Sequence, residues 1–250
     1  DWITSRGLGD VYKRQVPKKI KEDVNFNLNI ENLIDQTNDA TKVIYIASPN
    51  NPTGTYLSRD QLVKLMNSIS KNIIVVIDGA YVEYVQKDDY DKGFSLTDEY
   101  ENIILTRTFS KTYGLAALRV GWCYTSQKIA DIINKIKPPF NTTTISQSLA
   151  IKALEDKKHI ENSVKLNSEI KDWFEKELKL LNIKTRQTEG NFTLIETSEE
   201  EAEKISNHLM NDGIIIRRLN SYNLPNFLRI SIGTKEEMNI TVESLKKINV

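Results

Sequence analysis

Short aliphatic runs alternate with amphipathic stretches from Val16 to about Tyr124. This alternation is typical of a mostly parallel β-sheet covered by helices. Between the first two runs, Ser58 and Gln61 have the spacing of a capping box, and the apolar residues after them recur at helical spacing. The pattern therefore predicts a strand–helix–strand unit here. The predicted strands are 42–47, 72–77, 102–106 and 120–124.

Helical spacing dominates after Tyr124, where a long charged segment carries one apolar stripe from Ile160 to Leu181. Other helices are predicted at 128–137, 145–155, 199–210 and from Lys235 onward, with strands at 192–196, 214–218 and 227–232. The fold class that follows is α/β. We expect part of a mostly parallel-sheet, three-layer large domain at 16–155 and a smaller C-terminal α+β domain at 156–250.

Residues 1–15 do not share this periodicity. Gly7 and Gly9 hint at a nucleotide-binding loop, but the third glycine and a preceding strand are missing from the pattern. We therefore expect 1–15 to be a non-native or disordered leader.

Composition excludes several classes of protein. The 34 Lys and Arg balance 34 Asp and Glu, which gives no electrostatic reason to expect nucleic acid or an anionic membrane as the partner. The single cysteine, Cys123, cannot form an internal disulfide, as in a reducing cytoplasm. His159 and His208 have no Cys or His at the spacing of a zinc site, so no metal is expected. A cytoplasmic globular protein is the remaining class.

Four features lie where an open α/β sheet binds its ligands, past the carboxyl ends of strands. The first is the segment SPNNPTG at 48–54. Its two prolines stiffen the loop, which could hold the amide of Asn50 or Asn51 toward a ligand. The same letters are also ordinary turn chemistry.

The second feature is Asp78, which ends an apolar run and is followed by Tyr81. A carboxylate buried at that position needs a hydrogen bond or a charge partner, because burial without one would neutralise it. Asp78 could also cap the next backbone segment. Tyr81 could point a phenol into the same crevice or simply pack.

The third feature is the segment 106–116, in which the hydroxyls of Thr108 and Ser110 flank Lys111, with Arg119 further on. Hydroxyls and a guanidinium could hold a phosphate while the lysine serves as a nucleophilic amine. A solvated loop explains each residue singly but not their joint placement.

Arginines in the predicted strands are the fourth feature. Arg217 and Arg218 end one strand, and Arg229 alternates with apolar residues in another. The planar fork of an arginine suits a carboxylate or a phosphate, although an exposed strand face would explain Arg229 equally well.

Together, the motifs SPNNPTG (48–54), DGAY (78–81), TFSKTYGLAALRVGW (108–122) and FLRISIGT (227–234) resemble the fold-type I, class I and II aminotransferases, which use pyridoxal 5'-phosphate. The resemblance implies that Lys111 binds the cofactor covalently and then moves the substrate's α-proton. Asp78 would pair with the pyridine nitrogen, and Asn51 and Tyr81 would hydrogen-bond the ring's phenolic oxygen. The residues implied for the cofactor phosphate are Thr108, Ser110 and Arg119.

Within that family, the segment from Gly213 to Arg229 is most similar to the histidinol-phosphate aminotransferases. Arg229 would then bind the carboxylate of glutamate or the phosphate of histidinol phosphate, with Arg217 as a second contact and Asn51 beside them. Glutamate and 2-oxoglutarate would be the other substrate couple. Aromatic amino-acid aminotransferases and threonine-phosphate decarboxylases remain alternatives in the same family.

The resemblance extends from Val16 to about Val250 and covers the C-terminal two-thirds of the family's length. The family's N-terminal part supplies a backbone loop for the cofactor phosphate, an aromatic residue stacked on the ring, and a tyrosine that reaches the neighbouring subunit of a homodimer. Because these have no counterpart here, an inactive fragment is a further alternative.

Overall fold

The computed structural model describes residues 16–248, which form two β-sheets with helices packed on them. In the first sheet the order is β1-β2-β3-β4, with β1, β2 and β3 parallel and β4 antiparallel to β3. Its strands are β1 (Val43–Ala47), β2 (Ile74–Asp78), β3 (Ile103–Thr108) and β4 (Gly121–Thr125). The helices around it are α1 (Ile30–Asp35), α2 (Arg59–Ser68), α3 (Phe94–Glu99), α4 (Gln127–Ile136) and α5 (Thr144–Glu155). This is the predicted mostly parallel arrangement.

Helix α2 begins at the predicted capping box. The Gln61 N–H donates to the Ser58 hydroxyl, and the Ser58 N–H donates to the Gln61 side chain. These bonds satisfy donors that a helix start leaves without intrahelical partners. The helix packs Leu62 and Leu65 against Ile44 and the other buried residues of the first core.

The second sheet is antiparallel throughout, in the order β5-β6-β8-β7. Its strands are β5 (Lys184–Arg186), β6 (Phe192–Glu196), β7 (Arg217–Leu219) and β8 (Leu224–Ser231). Its helices are α6 (Lys157–Leu180), α7 (Glu199–Asn211) and α8 (Lys235–Leu245), which enclose a separate apolar core. The predicted division into domains at residue 155 stays a prediction.

Some element boundaries differ from the sequence prediction. We expected a strand at 214–218, but β7 begins only at Arg217. Gly213 has φ +81°, and the N–H of Ile214 turns back to the carbonyl of Leu209, so the end of α7 occupies the predicted start of the strand. The short helices α1 and α3 were not predicted, because neither is long enough to show a clear apolar period.

The loop of residues 22–27, here called the Phe26 loop, lies between the two sheets. We call the first sheet with its helices the first unit, and the second sheet with its helices the second unit. Thr55 of the first unit donates its hydroxyl to the Phe26 carbonyl at 2.9 Å. The Phe26 ring packs edge-on against Phe227 of β8, with ring centres 5.1 Å apart. The loop therefore bridges the two units.

Large apolar side chains are exposed on the first sheet and on α4 and α5. In β1, Ile44 and Ile46 face the core, whereas Tyr45 is 76% exposed. Val43 lies on the same side of β1 as Tyr45. The other exposed apolar side chains are Tyr124 on the opposite face of the sheet, Phe140 between α4 and α5, Ile132 and Ile136 on α4, and Ile145, Leu149, Ile151 and Leu154 on α5. Helix α4 has no buried residue, although one of its sides is apolar. Over residues 16–248, no helix is long and apolar enough to span a membrane. The predicted leader, 1–15, lies outside the described residues.

Candidate active site

The parallel strands β1, β2 and β3 end side by side. Ala47 pairs with Asp78, and Asp78 pairs with Thr106, so the segments that follow these residues leave from one edge of the sheet. Three of the four sequence features, namely the 48–54 loop, Asp78 and the Lys111 segment, start at this edge. This is the place where open α/β sheets bind their ligands.

Asp78 is exposed, contrary to the burial expected from the apolar run before it. As the last residue of β2, it extends beyond the packed strand interior at the sheet edge. The carboxylate does have a hydrogen-bond partner, because the Thr106 hydroxyl donates to its Oδ1 at 3.3 Å. An exposed, oriented carboxylate at this edge can accept a hydrogen bond from a protonated group of a ligand.

The Lys111 amine lies 5.2 Å from the centre of the Tyr81 ring. Tyr81 is 3% exposed and packs edge-on against Phe192 of β6, with ring centres 5.5 Å apart. The structure thus brings Lys111 and Tyr81 together, while Tyr81 also packs in the core, which were the two possibilities that the sequence left open. An amine beside an aromatic ring can act as a nucleophile.

Hydroxyl groups and a guanidinium gather beside Lys111. Thr108 accepts the N–H of Ser110 through its hydroxyl at 3.0 Å, and Arg119 Nη1 lies 3.5 Å from the Ser110 hydroxyl. Arg119 is in the left-handed region, with φ +49°, and donates to the Ala116 carbonyl at 2.9 Å. These donors form a group that can hold an anion.

Arg229 reaches this region from the second sheet. Its Nη1 donates to Asn51 Oδ1, and its Cζ lies 5.2 Å from the centre of the Phe192 ring. Within the described part of the chain, its Nε is buried and has no hydrogen-bond partner. Arg217 is the exposed cross-strand neighbour of Arg229, so both side chains lie on the same face of the sheet. Asn50 has a different role from Asn51, because its amide donates to Glu22 and Thr53.

A direct backbone contact fixes the 48–54 loop to the second unit. The Glu189 N–H donates to the Gly54 carbonyl at 2.7 Å, and Lys87 pairs with the Glu189 carboxylate at 3.5 Å. The loop that carries Asn51 is thereby held from both units.

Arg107 and Glu83 were not among the residues that the sequence singled out, although both lie next to the candidate site. Arg107 is 6% exposed, and burial lowers the pKa of its guanidinium. The alternation of buried and half-buried residues in β3 could have revealed Arg107, because it follows Ile103 and Leu105 at a spacing of two and shares their buried face. Glu83 is half-buried and lies 3.5 Å from the hydroxyl of Thr112, next in sequence to Lys111.

Burial raises the pKa of the Glu83 carboxyl, so the folded state favours its protonated form. The stability that this group contributes is present below the carboxyl's ordinary pKa and is lost as pH rises through the raised value. Glutamine has the same shape and does not ionise. We therefore expect the free energy of unfolding of Glu83→Gln to equal that of the wild type at about pH 4 and to exceed it at about pH 8.

Urea unfolding at the two pH values measures this difference. Glu101→Gln, the same substitution at an exposed position, serves as the control. A Glu83→Gln variant less stable than the wild type at the higher pH would contradict the expectation.

Comparison with known proteins gives one family. The model of the family described as aminotransferase class I and II matches residues 12–245. Histidinol-phosphate aminotransferase of Pelagibacter ubique (strain HTCC1062) is 40% identical over 243 residues, covering 95% of this chain and 68% of that protein. The enzyme of the same name from Zymomonas mobilis is 40% identical over 220 residues, covering 86% of this chain and 60% of the relative.

A solved structure is also similar. Histidinol-phosphate aminotransferase from Sinorhizobium meliloti, in complex with pyridoxal-5'-phosphate, has a TM-score of 0.83 and 25% identity, over 92% of this chain and 64% of that one. This chain therefore spans between 60% and 68% of the length of these relatives.

Proposed function

Because the chain belongs to the class I and II aminotransferases, we propose that it carries the pyridoxal-phosphate site of such an enzyme. We propose further that the whole protein transfers an amino group between histidinol phosphate and 2-oxoglutarate, as a cytoplasmic homodimer. The observation that carries the proposal is the gathering of Lys111, Asp78 and Tyr81 at one sheet edge, beside a group of anion-binding donors.

The residues at this edge fit the chemical groups of the cofactor. Lys111 would hold it covalently, and the exposed carboxylate of Asp78 would pair with the ring nitrogen. Asn51 and Tyr81 would contact the phenolic oxygen. The phosphate would be held by Thr108, Ser110 and Arg119. When bound, the cofactor supplies an electron-accepting ring for the substrate's α-carbon.

The chain's own residues would then bind the substrate and move one proton. The Lys111 Nζ would take the proton from the substrate's α-carbon as a general base and would then release it again as a general acid. Arg229 would orient the substrate by its carboxylate or phosphate. Its buried Nε without a partner supports this role, because buried donors are almost always hydrogen-bonded. Arg217 is placed to contribute a second positive charge.

Replacing Arg229 tests the anion site. We expect Arg229→Lys to raise the KM for histidinol phosphate by roughly 10- to 100-fold, the loss expected for one charged, forked hydrogen bond. The change in kcat should be smaller, because Arg229→Lys leaves Lys111, the proton-moving group, unchanged. Steady-state kinetics with varied histidinol phosphate give both constants.

Arg186→Lys is the matched control, since Arg186 is a half-buried arginine of the same sheet that pairs with Glu196 at 2.6 Å. It should leave KM unchanged. Equal KM values for Arg229→Lys and the wild type would exclude Arg229 from substrate binding. Comparing turnover of histidinol phosphate, phenylalanine and threonine phosphate, the last followed by release of CO₂, separates the substrate class from its two alternatives.

A second candidate is that this chain alone has no catalytic activity. The exposed apolar side chains on the first sheet, α4 and α5 favour it, because exposed apolar surface of this kind normally contacts another protein segment. We expect the isolated 250-residue chain to self-associate or aggregate. Sedimentation velocity and transamination activity, both with added pyridoxal 5'-phosphate, are the measurements. A soluble, cofactor-loaded and active protein would contradict this candidate.

A further inference from the structure

Arg107 is a buried cation to which the proposed mechanism assigns no task. It lies on β3 and is 6% exposed. Its guanidinium lies beside the stacked rings of Phe94 and Trp122, with Cζ 5.7 and 5.9 Å from their centres. Removing a guanidinium from water carries a free-energy cost that specific contacts must offset. The contacts that Arg107 makes must therefore offset this cost.

One of its two hydrogen bonds reaches a residue that contacts Asp78, and the other reaches the loop before α3. Nη1 donates to the Thr106 carbonyl at 2.8 Å, and the same carbonyl accepts the N–H of Gly79 at 3.1 Å. Thr106 also donates its hydroxyl to Asp78. Through Nη2, Arg107 donates to the Lys92 carbonyl and so fixes the loop before α3 to the same point.

The guanidinium also packs directly against the backbone of Gly79. A Cβ atom at Gly79 would lie 2.8 Å from Arg107 Cζ, so only glycine leaves room for the arginine here. Gly79 follows Asp78 in the chain and is itself buried. Arg107 thus contacts the residue after Asp78 and the residue that hydrogen-bonds Asp78.

We propose that Arg107 is a positioning residue that holds the Asp78 carboxylate at the sheet edge, by fixing Thr106 and Gly79. Asp78 is exposed, and its orientation depends on these two neighbours. The charge of Arg107 acts in the same sense, because a cation behind the strand end attracts the carboxylates of Asp78 and Glu83. This role rests on the proposed function, in which Asp78 meets the cofactor's ring nitrogen.

Amide hydrogen exchange tests the proposal without any cofactor. Arg107→Met removes the donors and the charge, Arg107→Lys keeps the charge, and Arg59→Met is the matched control. Arg59 pairs with Asp91 in the same loop that Arg107 contacts, and its other carboxylate partner is Glu99, on α3. We expect the Gly79 amide to exchange about tenfold faster in Arg107→Met, as expected for one weakened buried hydrogen bond, and to stay unchanged in Arg59→Met.

Titration with pyridoxal 5'-phosphate, followed by the visible absorption of the bound cofactor, supplies the second measurement. We expect Arg107→Met to weaken cofactor binding at least about tenfold and to change the pH at which the band shifts, with Arg107→Lys in between. The pH profile separates a role toward Asp78 from a general loss of stability, which would leave the profile of the folded fraction unchanged.

Three results would overturn the proposal: Gly79 exchange equal to the wild type, exchange accelerated equally throughout β1 and β2, or an unaltered cofactor band and affinity. If Arg107→Met does not fold, the same readouts on Arg107→Lys decide. A wild-type chain that binds no cofactor would instead overturn the proposed function for this chain, and the exchange at Gly79 would then decide alone whether Arg107 holds Asp78.

Discussion

Lys111→Ala should abolish transamination and the visible absorption that covalent attachment gives to pyridoxal phosphate. Loss of the proton-moving amine alone should lower turnover by roughly 10²- to 10⁴-fold, and loss of the covalent bond should add to this. Alanine leaves the neighbouring hydroxyls and Arg119 in place, so the phosphate-binding donors survive. The measurements are the absorption spectrum of the loaded protein and the rate of 2-oxo acid consumption.

Lys111→Arg separates charge from amine chemistry, because it keeps a cation beside Tyr81 but cannot form the covalent bond. It should be as inactive as Lys111→Ala. Lys128→Ala, at an exposed lysine of α4, should behave as the wild type. If the absorption band persisted in Lys111→Ala, the assignment of the site would be wrong.

Gly54→Ala should destabilise the protein and displace the loop that carries Asn51. Gly54 has φ +77°, and a Cβ atom there would lie 2.6 Å from the Thr188 Cα, a backbone atom that cannot rotate away. We expect a loss of about 2 to 4 kcal/mol in the free energy of unfolding, from left-handed strain of about 1 kcal/mol and overpacking of about 1 to 3 kcal/mol. Urea unfolding measures the loss.

Gly213→Ala is the matched control for this substitution. Gly213 has a similar φ of +81°, but a Cβ atom there would have nothing within 4 Å. Gly213→Ala should therefore lose only about 1 kcal/mol of stability, because it has the left-handed strain without the overpacking. Cofactor affinity should fall for Gly54→Ala and stay unchanged for Gly213→Ala. Equal losses of stability in the two variants would show that the contact with Thr188 has no energetic weight.

The sequence predicted those parts of the site that local pattern determines. Asp78 and Lys111 could be found because each follows an apolar run, and the ends of parallel strands share an edge. The start of α2 could be found because the capping box is a local chemical signal. Family membership, which the motifs implied, is confirmed by the match over 12–245.

Other parts depend on contacts between distant residues. The approach of Gly54 to Thr188 and the bond from Arg229 to Asn51 join the two units, and periodicity carries no information about such contacts. The exposure of Asp78 was mispredicted because an apolar run gives the burial of a strand but not of its last residue. Arg107 is an intermediate case. The alternation along β3 predicts that its side chain lies on the buried face, but it does not predict which residues that side chain contacts.

The Phe26 loop has a consequence for the order in which the chain folds during synthesis. It leaves the ribosome before the first sheet, yet its partners in the second unit come much later: Asn25 and its hydrogen-bond partner Arg186 are 161 residues apart. Contacts between residues so distant in sequence form late, and domains generally fold from the N-terminus as they emerge. The contact between Phe26 and Phe227 therefore forms only after β8 is made, so the Phe26 ring is without this partner while the residues between them are synthesised.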